Sequence, residues 1–311
     1  MSLSNDSNFI SLVIYGNKNI QKTIEFIQKL DGYCSNVFSK YEFVIVNDSV
    51  FSSSDINGLQ ELKLTDGKQL NIVNMSFHQG LEKAMNAGVD FSIGDYVFEF
   101  DTVYCDYDLS EISNVYSCCL TGADIVSAGS GKSKYPSSRL FYKLFNKYSY
   151  NRYDISSNSF FLLSRRAINR INSMSLSIPY RKAVYSNCGL NYENYQYTRV
   201  GKKRKDDFRR DKRLVISDSL VLYTNVFFKV AFTFTILMII GSIASLTYTL
   251  VIYFTKNPTE GWTTMMLFLS IGFTAVFIFI CVILIYLRII VGLLFQKQKY
   301  LVESVKKGNK E

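Results

Sequence analysis

Two long blocks without a charged residue near the C-terminal end constrain this chain more than any other feature. They run from Val230 to Phe254 and from Trp262 to Leu287. A helix needs about 20 consecutive apolar residues to cross a bilayer core, and each block is long enough. A buried core helix is the alternative, but a soluble core rarely needs two adjacent uncharged runs of this length. The sequence therefore predicts two membrane-spanning helices.

The segments around these blocks predict how they are oriented. The short connector contains the helix breakers Pro258 and Gly261, which favours an antiparallel hairpin over residues 229–295. Basic residues cluster before the hairpin, from Arg199 to Arg213, and again in the tail, whereas the connector contains one lysine. Because basic flanks remain inside, we expect both termini in the cytoplasm.

This division predicts four parts. They are a soluble domain over 1–212, a juxtamembrane interfacial helix over 213–228, the hairpin over 229–295 and a basic cytoplasmic tail over 296–311. The formal net charge of +9 is concentrated near the predicted membrane, which favours anionic lipid headgroups or phosphate-bearing substrates as partners. We expect no nucleic acid partner, because the basic run adjoins a span and lacks a recognisable nucleic-acid-binding motif.

The first hundred residues alternate between strand and helix patterns. The predicted strands are Phe9–Tyr15, Tyr41–Asp48, Leu70–Met75 and Asp95–Asp101, and the predicted helices include 20–30 and Leu81–Ile93. Such alternation predicts an α/β fold with a mostly parallel sheet flanked by helices, which binds ligands at the carboxyl ends of its strands. Asp48 and Asp101 both come at such ends.

A segment at residues 137–149 has a strongly amphipathic pattern. One helical face carries the apolar residues Leu140, Phe141, Leu144, Phe145 and Tyr148, and the basic residues Arg139, Lys143 and Lys147 flank it. The pattern is typical of a helix in the headgroup plane, with Arg139 and Lys143 near lipid phosphates. An ordinary surface helix packed on the sheet fits equally well.

The stretch from Met75 to Asp101 carries a family resemblance. It contains, in order, Gly80, Ala84, Asn86, Ala87, Gly88, Gly94, Asp95, Tyr96, Val97 and Asp101. This order resembles family 2 glycosyltransferases, in which the final aspartate begins the metal motif. The segments LFYKLFNKYS and FFLLSRR and the two terminal spans are similar to the polyisoprenyl-phosphate branch, which includes dolichol-phosphate-mannose-synthase-like enzymes.

The resemblance implies a GT-A-like fold, a nucleotide-sugar donor, a divalent metal (magnesium or manganese) and inverting transfer of the sugar to a polyprenyl phosphate of the undecaprenyl type. It implies an integral protein of the inner cell membrane, acting in surface polysaccharide or cell-envelope glycan assembly, with a homo-oligomer among its candidate assemblies. By position, it assigns donor binding to Tyr15, Gly16, Asn17, Asp48, His78 and Gly80, catalysis and metal binding to Asp101, and the acceptor phosphate to Arg165 and Arg166. The amphipathic segment adds Arg139 and Lys143 as candidates for the acceptor or lipid phosphate.

Several positions depart from the family pattern. Asn47 replaces the first aspartate of an Asp-Asp pair, and Val103 replaces the second aspartate of the metal motif. Gly16 and Asn17 stand where Asn and Glu are usual, and Ser159-Phe160-Phe161 replaces the acceptor-loop Asp-Phe-Arg. Asp106 is a weak candidate for the missing metal ligand, and Asp108 is another. An ordinary solvated acidic loop is the alternative for both.

Two functions remain open at this point. One is an active glycosyltransferase, in which a weakly held metal depends on the phosphates of the donor. The other is a catalytically degenerate relative that serves as a binding or scaffold subunit in the same pathway. His78, the one histidine of the chain, either contacts a donor phosphate or is an ordinary surface residue.

Overall fold

The computed structural model describes residues 7–65, 68–131, 136–148, 153–174, 180–200, 226–255, 260–294 and 300–308. It divides into two compact units. The first comprises Met1–Ser219 together with Lys297–Glu311, and the second comprises Leu220–Gln296. Most of the predicted juxtamembrane helix, residues 213–225, lies outside the described residues.

An eight-stranded sheet forms the centre of the first unit. Its strands are β1 (Phe9–Tyr15), β2 (Lys40–Asn47), β3 (Gln69–Met75), β4 (Tyr96–Phe100), β5 (Ile125–Gly129), β6 (Phe160–Ser164), β7 (Tyr192–Gln196) and β8 (Val302–Lys307), in the order β7-β5-β6-β4-β1-β2-β3-β8. Only β6 and β8 run against the other six described strands. The prediction of a mostly parallel sheet is confirmed.

In the part of the first unit that the structure describes, seven helices accompany the sheet. They are α1 (Ile20–Cys34), α2 (Ser53–Gln60), α3 (Leu81–Phe91), α4 (Ser110–Leu120), α5 (Pro136–Tyr148), α6 (Arg165–Ser173) and α7 (Arg181–Asn187). They follow the strands as the sequence pattern predicts, with α1 after β1 and α3 after β3. The prediction of an α/β domain with flanking helices is confirmed.

The central strands are apolar because helices cover both faces of a parallel sheet. Six of the seven residues of β1 are buried, and seven of the eight in β2. Helix α3 packs directly on them: a side chain at Gly88 would come within 2.5 Å of Val46 and 2.6 Å of Val13. This close approach brings the first turn of α3 to the ends of β1 and β2.

Helix α5 packs within the soluble unit. Phe141 is 4% exposed and Phe145 is fully buried, with ring centroids 6.2 Å and 6.0 Å from that of Tyr180. Leu140, on the other hand, is 58% exposed. The structure therefore supports the alternative of a helix packed on the domain over one whose Phe141 and Phe145 face lipid.

The C-terminal segment adds a strand that the sequence pattern did not indicate. We predicted a basic tail over residues 296–311, but Val302–Lys307 form β8, antiparallel to β3. The side-chain amide of Gln60 also donates to the carbonyl of Lys307 at 2.9 Å. Residues after the second apolar helix thus belong to the same sheet as the N-terminal half of the chain.

The second unit is a pair of long helices, α8 (Val226–Thr255) and α9 (Trp262–Leu294). Both are long and apolar enough to cross a membrane. Few of their residues are buried, and large apolar side chains such as Phe254 and Phe268 are about four-fifths exposed (80% and 79%). The hydroxyls of Ser245 and Ser270 lie 3.1 Å apart, as expected of an antiparallel hairpin. Such exposure does not fit the core helices of a soluble protein.

Candidate functional site at the carboxyl ends of the strands

A buried carboxylate at the end of β2 organises the first part of the site. Asp48 is fully buried and accepts hydrogen bonds from the hydroxyl of Tyr15 at 2.9 Å and from the backbone N–H groups of Gln79 at 2.7 Å and Gly80 at 2.9 Å. Its Oδ2 also lies 2.8 Å from Nδ1 of His78. These partners satisfy the buried charge. They hold the loop before α3 against the ends of β1 and β2.

The predicted donor-binding residues come together here. Four of them, Tyr15, Asp48, His78 and Gly80, make the direct contacts just described. Gly80 has a φ of +87° at the start of α3, a conformation that favours glycine. The His78 side chain is 50% exposed and bonded to Asp48, so its ring is positioned at the rim of this edge.

Gly16 and Asn17 form the turn that follows β1. The N–H of Gly16 donates to the carbonyl of Val46 at 2.9 Å, and a side chain at Gly16 would meet the ring of Phe51 at 2.5 Å. Asn17 is 3% exposed, and its Oδ1 accepts from the N–H of Asn19 at 2.9 Å. These residues shape the turn, and the side-chain oxygen of Asn17 is used within the turn, in its hydrogen bond from Asn19.

The second part of the site is a cluster that sequence reasoning missed. Arg181, the first residue of α7, is buried among three carboxylates. Its Nη2 lies 2.5 Å from Oδ1 of Asp101, its Nε lies 3.2 Å from Oε2 of Glu82, and its Nη1 donates to Glu99. The hydroxyl of Tyr185, one turn later, donates to the other oxygen of Glu99 at 2.5 Å. We call these five residues the Arg181 cluster.

Burial and charge act against each other in the Arg181 cluster. Burial raises the pKa of the Glu99 carboxyl to about 7, although Arg181 and the Tyr185 hydroxyl oppose the shift. For Arg181, burial opposes the charged form, but Glu99, Asp101 and Glu82 outweigh it and raise its pKa well above the usual value. The guanidinium is therefore permanently charged. The one signal in the sequence was Glu99, a carboxylate within the apolar strand YVFEF.

The residues described here do not fit the predicted metal site. Asp101 is paired with Arg181, and Val103 belongs to the hydrophobic core with 7% of its surface exposed. Among the described residues, no three His, Cys, Asp or Glu side chains are grouped so as to hold a metal ion. The departure at Val103 is thus more than the loss of one ligand, because a side chain at that position faces the core and not the site.

Asp106, the weak candidate for a metal ligand, joins a different network. It accepts from the hydroxyls of Tyr197 at 2.6 Å and Ser159 at 2.9 Å, and its Oδ2 lies 2.9 Å from Nε of Arg199. Burial opposes ionisation of Asp106, but these hydroxyls and the guanidinium outweigh it and hold its pKa below the usual range. The network ties the loop after β4 to the start of β6 and to the segment after β7.

Arg165 and Arg166 lie at the opposite end of the sheet, which corrects their predicted acceptor role. Strand β6 is antiparallel to β4, so Ser164 pairs with Tyr96 at the start of β4. The Arg165 guanidinium donates to the carbonyls of Gly94 and Ser92. With a rise of about 3.3 Å per residue, the length of β4 puts these groups roughly 20 Å from Asp101.

Other cations do lie near the carboxyl ends. Lys22, in the first turn of α1, donates to the Tyr104 hydroxyl at 2.8 Å, and Lys182 donates to the side-chain oxygen of Asn158, just before β6. Arg139 and Lys143 are exposed on α5. The two lysines, together with Arg199, provide positive charge along this edge.

Together the fold and this edge define a class: an α/β protein whose charged site lies at the carboxyl ends of parallel strands, in a chain that also carries two long apolar helices. No family model matches the chain. Its relatives, however, include a prophage bactoprenol glucosyl transferase homolog of Escherichia coli K12, 26% identical over 187 residues that cover 58% of each chain. Another is the bactoprenol glucosyl transferase of Shigella phage SfV, 27% identical over 58% of this chain and 57% of that protein.

These relatives confirm the predicted resemblance to polyisoprenyl-phosphate glycosyltransferases. The chain matches somewhat over half the length of each of them. Among solved structures, similarity is found to a mannosyltransferase of Pyrobaculum calidifontis in complex with GDP-Man and Mn2+ (TM-score 0.46, 14% identity, 70% of this chain and 63% of that chain). It is also found to glucosyl-3-phosphoglycerate synthase of Mycobacterium tuberculosis in complex with UDP (TM-score 0.43, 13% identity, 69% and 79%).

Proposed function

We propose that this protein is a glycosyltransferase that moves a sugar from a nucleotide-sugar donor to a polyprenyl phosphate at the cytoplasmic face of a membrane. The observation that carries the proposal is the arrangement around Asp48, which holds Tyr15, His78 and the start of α3 at the carboxyl ends of β1 and β2. Parallel sheets bind nucleotides at such ends. The similarity to bactoprenol glucosyl transferases points to the same reaction.

In this proposal, Asp48 acts by positioning. Its carboxylate is buried and already accepts from two backbone N–H groups, so it orders the loop that receives the nucleotide. His78, bonded to Asp48 and half exposed, contacts a phosphate of the donor. Tyr15, Gly16 and Asn17 form the wall of the nucleotide pocket at the end of β1.

The chemistry requires charge neutralisation more than a strong base. A phosphate oxygen of the acceptor attacks the anomeric carbon, the bond from that carbon to the donor diphosphate breaks, and the nucleoside diphosphate leaves with its electrons. A single displacement inverts the anomeric centre. The acceptor phosphate is already anionic at neutral pH, so positioning and nearby cations dominate. Lys22, Lys182 and Arg199 lie near this edge and would provide them.

The membrane part of the proposal depends on α8 and α9. Both helices are long and apolar enough to span, and a polyprenyl chain resides in the bilayer. The basic residues before α8 favour a cytoplasmic soluble unit. Arg139 and Lys143, exposed on α5, would contact anionic headgroups even though Phe141 and Phe145 are buried.

A scaffold subunit remains the second candidate, and a specific observation favours it. Asp101, the aspartate that the family uses for metal, is paired with Arg181. A protein that had lost catalysis would keep the fold and the hairpin while closing its metal site in this way. Product formation distinguishes this candidate from an enzyme.

The test is a transfer assay with the full chain in detergent. The protein is incubated with a panel of UDP- and GDP-sugars and undecaprenyl phosphate, with and without Mn2+, and lipid products are separated. We expect a glycolipid with at least one donor, and a loss of at least about tenfold in Asp48→Asn, because the loop before α3 loses its buried anchor. Asp154→Asn, at an exposed position, is the matched control. Nucleotide binding without any product would favour the scaffold.

A further inference from the structure

The Arg181 cluster resembles a cation-binding site in which the bound cation is a side chain of the protein, the guanidinium of Arg181. Three carboxylates, Glu82 from α3, Glu99 from β4 and Asp101 just after β4, converge on one point. The Arg181 guanidinium stands at that point, with one of its three nitrogens toward each carboxylate and 2% of the side chain exposed. The backbone N–H of Arg181 also donates to Glu82 at 2.8 Å, which fixes the start of α7.

A divalent metal and this guanidinium compete for the same oxygens. Magnesium requires oxygen ligands at about 2.0–2.1 Å in a near-octahedral shell. Oδ1 of Asp101 already lies 2.5 Å from a guanidinium nitrogen, and the nearest carboxylates are directed at the same group. Arginine cannot lose its charge in a protein, so a metal ion bound at Asp101 would be repelled by the buried positive charge of Arg181.

We propose that Arg181 takes the place of the divalent cation at Asp101, so that the site excludes metal and a nucleoside diphosphate binds without it. The statement about the nucleotide rests on the proposed function, whereas the exclusion of metal at Asp101 stands by itself. The proposal also accounts for Val103, because a site that binds no metal has no use for a second aspartate there.

Direct metal binding is the first test. Mn2+ is titrated into the full chain in detergent, and the signal of free Mn2+ is followed by electron paramagnetic resonance. We expect the wild type and Asp101→Asn to give the same weak binding. Arg181→Met removes the charge while keeping a long side chain. The three carboxylates, each held in the wild type by a different guanidinium nitrogen, could then turn toward a common ion and should bind Mn2+ at least about tenfold more tightly than in the wild type.

The controls distinguish the loss of positive charge inside the Arg181 cluster from the loss of a positive charge elsewhere on the protein. Arg170→Met removes one positive charge from an exposed position on α6 and should leave Mn2+ binding unchanged. Arg181→Lys keeps a cation in the cluster and should resemble the wild type. Tight Mn2+ binding by the wild type that Asp101→Asn abolishes would overturn the proposal, as would a folded Arg181→Met that gains no affinity. Should Arg181→Met not fold, the comparison of the wild type with Asp101→Asn decides.

Nucleotide binding is the second test. UDP and GDP are titrated calorimetrically into the wild type, once in EDTA and once in Mn2+. We expect the dissociation constant of the nucleotide that binds to agree in the two buffers within about twofold. Tightening by Mn2+ of tenfold or more would contradict metal-independent binding while leaving the glycosyltransferase proposal intact. Absence of binding in both buffers would instead refute the glycosyltransferase proposal, and the Mn2+ titration would still decide whether Asp101 excludes metal.

Discussion

At the scale of single residues, position in the sequence and position in the fold differ most around Asp101. Alignment with the family motif makes Val103 a lost metal ligand. In the structure, Val103 is 7% exposed and belongs to the core cluster that includes Tyr107 and Phe160. The residue that matters to Asp101 is Arg181, 80 positions away in the chain. Where the family has a two-aspartate metal motif, this chain thus has the buried Val103 and an ion pair between Asp101 and Arg181.

Val103→Asp should consequently destabilise the protein without creating a metal site. A carboxylate at this position would lie among apolar side chains with no partner, and an unpaired buried charge is among the most costly substitutions, at roughly 3 kcal/mol or more. Urea unfolding of the full chain, monitored by far-UV circular dichroism, measures the loss in the free energy of unfolding. Val103→Thr, close in shape but uncharged, is the control and should cost less. A stable Val103→Asp with tighter Mn2+ binding would restore the metal-motif interpretation.

At the scale of elements, α5 shows how one amphipathic pattern fits two environments. Its apolar face would suit either lipid or a protein surface, and the pattern alone does not distinguish them. In the structure, Phe141 and Phe145 pack edge-to-face against Tyr180, the residue just before α7. Because α7 begins with Arg181, this packing also helps to position the Arg181 side chain against its three carboxylates.

Phe145→Asp is therefore expected to destabilise the soluble unit, because the ring is fully buried. Loss of a buried phenylalanine typically costs about 3–5 kcal/mol. Leu140→Asp, on the same helix but 58% exposed, is the matched control and should change stability by less than about 1 kcal/mol. The midpoint of thermal unfolding reports both. Equal effects of the two substitutions, or a membrane-binding defect without loss of stability in Phe145→Asp, would favour the lipid-facing helix.

The Asp106 network makes a prediction about acid stability. Its pKa is lowered in the folded state, so its contribution is present above the unfolded pKa of about 4 and is lost as the pH falls through the folded value. Asp106→Asn lacks this contribution and should be less stable at pH 7 by about 1–3 kcal/mol. The difference from the wild type should shrink below about pH 4. Denaturant unfolding across this pH range measures it, and a constant difference would exclude Asp106 as the titrating group.

At the scale of the whole molecule, β8 shows that the chain returns to the sheet after the two long apolar helices. Residues on both sides of the two apolar helices belong to one soluble unit, and β8 pairs with β3 within it. Gln79, whose N–H donates to Asp48, also exchanges two hydrogen bonds with Leu301, at 2.6 Å and 3.0 Å. If α8 and α9 span a bilayer, as we propose, a chain that leaves this unit and returns to it crosses that bilayer an even number of times.

Cysteine-accessibility labelling tests this topology. Single cysteines at Asn257 or Thr259 in a background without the native cysteines should react with an impermeant reagent from outside the cell. Cysteines at Ser4 and Lys310 should react only after permeabilisation, because the proposed orientation puts both ends on the cytoplasmic side. Labelling of the connector from the cytoplasmic side would refute the orientation, and labelling of Ser4 and Lys310 on opposite sides would refute the pairing of β8 with β3 in the cell.

Features that depend on local pattern could be predicted from the amino-acid sequence. Strands β1 to β4, helices α1 and α3 and the two long apolar helices were all predicted, because their periodicity and composition lie within one continuous segment. The aspartate at the end of β2 followed from where parallel strands end, and the loop at His78 and Gly80 followed from the family resemblance. The other features depend on contacts between distant segments, so they could be read from the folded chain alone. The antiparallel direction of β6 carried Arg165 and Arg166 away from the site, the pairing of β8 with β3 spans some 230 positions, and a buried arginine from α7 reaches Asp101 across 80. A short-range pattern contains no information about such partners until the sheet brings them together.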